Sequence, residues 1–206
     1  MHENEILDNL KISMESLEKT TTWGILLLFA TLIAALFTTN SIVISGINIP
    51  KNISGIVTFG ILCSLNFKVF HLLQNIKSLL KIIEPKTEIA HMKIRFHPWV
   101  LNPFSETQGR LSLFSDNFGY ALLLLFWWTG AQTGFFLIRT GVQDPKLKTI
   151  GIILFFVYLC LGLMSMFLIS DLISTVCKEK VSIRLKMFLT FIAIPIGSFG
   201  LKHLFF

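Results

Sequence analysis

Apolar residues along this chain come in long blocks, not in the short stripes of a soluble helix. A helix rises 1.5 Å per residue, so a block of about 20 residues matches the ~30 Å hydrocarbon core of a bilayer. The blocks predict spans at 23–44, at 53–73 with helical character extending to 83, at 118–138, at 150–173 and at 187–206. The fold class this predicts is all-α, a polytopic transmembrane helix bundle of five spans. Four spans is the alternative, because the clean apolar stretch of the last block covers only 187–201 and contains Pro195, Gly197 and Gly200.

Ahead of the first block, residues 1–22 predict an amphipathic N-terminal helix on the cytoplasmic side. Leu7, Leu10, Met14 and Leu17 recur at 3-4-3 spacing, with charge over much of the other face. Such a seam suits a short coiled coil, a helix lying on the membrane, or packing against the protein's own loops. After the first block, Gly46 and Pro50 predict a tight turn, with Asn52 as the N-cap of the second span. That span runs on to Pro85, so beyond Leu73 it should project into water, as Lys77 and Lys81 suggest. Residues 84–117 carry Ile89, Met92 and Phe96 at helical spacing and then two proline breaks, the pattern of an interfacial elbow. Ser115 or Asp116 is the expected N-cap of the third span. Residues 23–206 with that elbow form one transmembrane domain, since no polar stretch is long enough for a separate soluble core.

Composition supports the membrane class. The chain of 206 residues is 53% hydrophobic, with a mean hydropathy of +0.70. The net charge is +6, and in a soluble protein that would raise the question of nucleic acid. Here the basic residues lie in short loops beside the spans, so lipid head groups and topology account for them and no nucleic-acid partner is expected. Lys11 and Lys19, then Lys77, Lys81, Lys86, Lys93, Arg95 and Arg110, then Lys178, Lys180, Arg184 and Lys186 share one side of a five-span arrangement. Only Lys51, Arg139, Lys146, Lys148 and Lys202 fall on the other side. The positive-inside rule then places the N-terminus in the cytoplasm and the C-terminus outside. The acidic first twenty residues do not read as a secretory signal, and a bacterial inner membrane fits best.

Candidate chemistry is sparse. Lys68 falls ~23 Å into the second span and Asp171 ~31 Å into the fourth. With His71 and Asp116 they form a candidate cytoplasmic vestibule that would bind or steer an ion or polar solute. The bland alternative is that Lys68 snorkels and Asp171 marks the boundary. Ser64, Lys68, His71, Asn75 and Ser78 form a polar stripe at 4-3-4-3 spacing, fit to line a pathway or to bond to a neighbouring helix. The third span carries Trp127, Trp128, Gly130, Gln132 and Gly134. Its GxxxG suits close helix packing, and Gln132 could join Thr39 and Asn40 in an outer polar patch. The three cysteines show no CxxC spacing, the five histidines no metal motif and no pair at matching depth for a haem, so no metal or cofactor is expected. GxSxG, HExxH, GxxxxGK[ST] and GxGxxG are absent, which leans against an enzyme. Arg95, His97, Glu106 and Arg110 remain a conceivable interfacial site for lipid phosphates.

The function expected is an oligomeric channel, or a pore-forming membrane effector that depolarises a cell. Its partners would be the bilayer and copies of itself. The alternatives are a non-catalytic scaffold or regulatory subunit docking a cytoplasmic partner, and a small transporter or lipid-acting enzyme. Transport is disfavoured by the lack of an inverted repeat.

Overall fold

A computed structural model describes residues 3–37, 41–44, 46–83, 87–99, 101–105 and 112–177. These form five helices and one short hairpin: α1 (Glu3–Phe37), β1 (Ser41–Ile44), β2 (Ile47–Pro50), α2 (Lys51–Ile82), α3 (Thr87–Arg95), α4 (Ser112–Gly141) and α5 (Pro145–Val176). The described chain is essentially all-helical. Two of its helices, Ile53–Ile82 within α2 and Pro145–Val176, are long and apolar enough to cross a membrane. The fifth candidate span at 187–206 and the basic loop from Lys178 lie outside the described residues.

Side-chain contacts set the helix directions. Ser13 lies beside Asn75 and Gly24 beside Leu65, so α1 runs against α2. Cys63 meets Leu154 and Lys77 meets Asp171, so α2 and α5 run together. Gly55 faces Ile138 and Gly134 faces Phe59, so α4 runs against α2. The four long helices therefore alternate in direction along the chain, with α3 at the end where α1 begins.

α1 carries the expected external helix and the start of the expected first span in one unbroken helix of 35 residues, ~52 Å long. The polar residues at the junction do not interrupt it. Thr20 donates its hydroxyl to the Ser16 carbonyl at 2.7 Å and Thr21 to that of Leu17 at 2.8 Å. Back-bonded hydroxyls of this kind enter an apolar setting already satisfied. The 3-4-3 seam is used internally. Leu10 and Met14 are buried against the ends of α2 and α5 and against α3, so the seam is not left over for a coiled coil.

The first span was expected to reach residue 44, yet α1 stops at Phe37 and residues 41–50 form an antiparallel hairpin. Ile42 pairs with Ile49 and Ile44 with Ile47 across a turn in which Gly46 takes φ +80°. β-branched residues on both sides of Ser45-Gly46 favour a strand pair, and glycine supplies the left-handed turn position. The expected N-caps are corrected too. Pro50 precedes α2 with no side-chain cap, leaving Asn52 as the second helical residue. α4 begins at Ser112, so Ser115 and Asp116 lie inside it. α5 is capped by Asp144, which accepts from Lys146 N at 2.8 Å and Leu147 N at 3.3 Å, with Pro145 at the first helical position.

Two apolar clusters fill the bundle. One sits at the α3 end and joins Leu10, Leu73, Ile76, Ile94, Phe104 and Leu172. The other fills the opposite half around Phe59, Trp127 and Tyr158. Asn102 seals the first. Its amide donates to the Ile94 carbonyl at 2.8 Å and accepts from Phe104 N at 3.0 Å. Asn102→Ala would leave Phe104 N buried and unpaired, at a cost of about 1–3 kcal/mol, and the Ile94 carbonyl with only the longer bond from His97 N at 3.4 Å. We expect limited proteolysis of that variant to cut first within 97–105, while wild type resists there.

Candidate functional site

The polar stripe of α2 is set by helical periodicity. Leu62, Leu73, Ile76 and Leu80 turn into the bundle and are buried. Ser64, Lys68, His71, Asn75 and Ser78 lie on the other side and are exposed. Ser64 closes on its own helix, donating to the Gly60 carbonyl at 3.0 Å. Asn75 reaches sideways to the Ser13 hydroxyl at 2.9 Å. Lys68 and His71 point away from the bundle.

At the level of Lys68 the neighbouring helices expose apolar side chains. Along α2 Lys68 falls between the levels marked by the Cys63–Leu154 and Lys77–Asp171 contacts. Between those same levels α5 exposes Phe156, Leu163, Met164 and Phe167, the last at 76%. Phe67 beside Lys68 is 61% exposed, and Trp23 stands near that level on α1 at 67%. Exposed apolar side chains on α5 extend over 150–167, ~26 Å of helix. A soluble monomer rarely exposes a contiguous surface of this kind. Lys68 is therefore a cation set within an apolar girdle.

Of the vestibule candidates, Asp171 pairs with Lys77. Lys68 lies nine residues back along α2, ~13 Å along the axis. Asp116 falls within the first two turns of α4 by position. The residue that partners Asp171 was visible in the sequence as a basic position in the projecting part of α2. Only the stagger of two parallel helices selects Lys77 over Lys68.

Three of the third-span candidates, Trp127, Gly130 and Gly134, are packed inside. Gly130 faces Leu28 and the Tyr158 hydroxyl, and Gly134 faces the Phe59 ring, with room at 2.5 Å for no further carbon. The GxxxG thus receives side chains from α1, α2 and α5. Trp127 is buried and stacks on Tyr158 at 6.0 Å, tilted by 20°. Its carbonyl accepts from the Tyr158 hydroxyl at 3.0 Å. Trp128 and Gln132 are half-buried. Thr39 and Asn40 of the expected outer patch lie outside the described residues.

Arg95 does not face the surface as a lipid-phosphate ligand would. It is 8% exposed and pairs with Glu88 at 3.2 Å. His97 lies 3.9 Å from Glu18, and Glu106 and Arg110 are outside the described residues. Among the described residues no group of three or more His, Cys, Asp or Glu converges as a metal site would require.

A cavity that sequence reading missed lies between α1, α2, α4 and α5, with a volume of about 90 Å³. It is partly open and reaches Trp99 and Pro103 at the α3 end. Its walls come from four helices, so no local pattern announces it. No protein-family model matches the chain, and neither a curated protein nor a solved structure is significantly similar to it.

Proposed function

We propose that this protein is a five-span membrane protein of the bacterial inner membrane, N-terminus in the cytoplasm, that assembles into an oligomeric channel lined by α2. The observation that carries the reading is Lys68, exposed within the apolar girdle together with Ser64 and His71. A lysine presented to hydrocarbon costs about 2.5–3.5 kcal/mol on insertion scales, and such groups usually face a protein or aqueous interior. In a ring of copies the α2 stripe faces a shared aqueous path and the α5 girdle faces lipid.

The alternating helix directions fit successive membrane crossings. The hairpin at 41–50 fits the outer surface, since an open sheet edge is not tolerated against hydrocarbon. The α3 end, with the buried start of α1, then stands in the cytoplasm.

A ring of Lys68 side chains predicts anion preference, because a ring of fixed charge selects the opposite sign. The test is the mass of the purified protein in detergent followed by ion flux in liposomes. Wild type is expected to be oligomeric and to pass chloride over potassium. Lys68→Glu is expected to reverse that preference, and Lys68→Met to abolish it while leaving the elution volume unchanged. A monomer that carries no flux would refute the channel and favour the scaffold that docks a partner at its cytoplasmic end. Flux with unchanged selectivity in Lys68→Glu would remove α2 from the pathway.

A further inference from the structure

We propose that the cavity between α1, α2, α4 and α5 is a binding site for the ester end of one acyl chain of a membrane lipid, its carbonyl and first few methylenes, held by the carbonyl oxygen. The site is distinct from the α2 stripe and does not depend on the channel reading. Two hydrogen-bond donors line it with no partner: the Trp127 indole nitrogen and the Ser165 hydroxyl. Their residues are 9% and 4% exposed, so bulk water does not satisfy them. A buried polar group left unpaired costs about 1–3 kcal/mol, and two beside one cavity point to an occupant that accepts from both.

Geometry narrows the occupant. The Trp127 nitrogen rests against Gly162. Ser165 is three residues further on the same face of α5, so both donors belong to one stretch of the cavity wall. Indole nitrogen can only donate, so the ligand must supply an acceptor. A carbonyl oxygen has two lone pairs and no proton of its own. The remaining walls on the far side from Trp99, including Leu28 and Leu62, suit the start of a hydrocarbon tail. The cavity is partly open, and its end near Trp99 and Pro103 lies toward the level where lipid esters would sit in the proposed membrane placement.

Titration of the purified full-length protein in detergent with phosphatidylcholine bearing brominated acyl chains tests this through tryptophan fluorescence. Bromine quenches on contact, so a saturable component belonging to Trp127 is expected in wild type and is expected to vanish in Trp127→Phe. Gly24→Leu fills the cavity from α1, where an added Cβ meets nothing nearer than Leu65 at 4.0 Å. It is expected to keep the wild-type circular dichroism and elution volume and to lose the saturable quenching. Ser165→Ala keeps the volume and removes one donor, and is expected to weaken binding by roughly 3–10-fold, the effect of one ordinary hydrogen bond. Quenching that never saturates, or that persists unchanged in Gly24→Leu or in Ser165→Ala, would overturn the site. Saturable quenching by decylubiquinone without any by the brominated lipid would overturn the acyl-chain assignment.

Discussion

Gly162→Ala is expected to lower the thermal unfolding midpoint in detergent by several degrees, although it adds a single methyl group to a helix. The new carbon would fall inside the Trp127 indole. That ring is held by its neighbours although its edge lines the cavity: it stacks on Tyr158, which also donates to the Trp127 carbonyl at 3.0 Å, and its centroid lies 6.1 Å from that of Trp128. Overpacking of a rigid contact costs about 1–3 kcal/mol, and for a chain of this size each kcal/mol is worth about 2–4 °C. Alanine's better helix propensity, about 1 kcal/mol over glycine, offsets part of this. The double variant Trp127→Leu/Gly162→Ala separates the causes. If the clash dominates, the second substitution recovers stability and the two effects are strongly non-additive. Equal losses from Gly162→Ala in both backgrounds would show that Trp127 is not the obstacle.

The second large effect is expected from Phe59→Ala. Phe59 is fully buried and joins three helices. Its ring lies on Gly134 of α4 and meets Phe155 and Tyr158 of α5 at 5.8 and 5.5 Å. In water the loss would be about 3–5 kcal/mol. In the proposed membrane setting the transfer part falls away, because lipid tails are as apolar as the core. The cavity part remains. At ~24 cal/mol per Å³ and a void of about 100 Å³ it comes to about 2–3 kcal/mol. A thermal midpoint in detergent within a degree of wild type would mean that the bundle collapses around the vacancy. It would also mean that the second apolar cluster does not hold α2, α4 and α5 together.

These two sites show where local sequence information ends. The aromatic and glycine residues of α4 are legible as packing residues. That Gly162 receives Trp127 and Gly134 receives Phe59 depends on how far α4 and α5 slide past each other and past α2. Such a stagger is decided by the summed fit of many side chains, and no window of one helix contains it. The same stagger gives Asp171 to Lys77. It also forms the four-walled cavity whose donors, Trp127 and Ser165, lie 38 residues apart in the chain.

What the sequence by itself determined is whatever periodicity and transfer energy specify within one segment. The long apolar blocks mark α2 and α5 as helices long enough for a membrane. Helical spacing along α2 divides Leu73 and Ile76, which are buried, from Lys68 and His71, which are exposed. The seam of Leu7, Leu10, Met14 and Leu17 is apolar for a reason visible in one dimension, but its partner is not. The tertiary structure alone decided that this seam closes on α2, α3 and α5 within the same chain, and that α1 passes unbroken through Thr20 and Thr21. It also decided that residues 41–50 pair as strands. Each of these outcomes turns on competition between neighbours for burial and hydrogen bonds, and such competition is settled only when the elements meet.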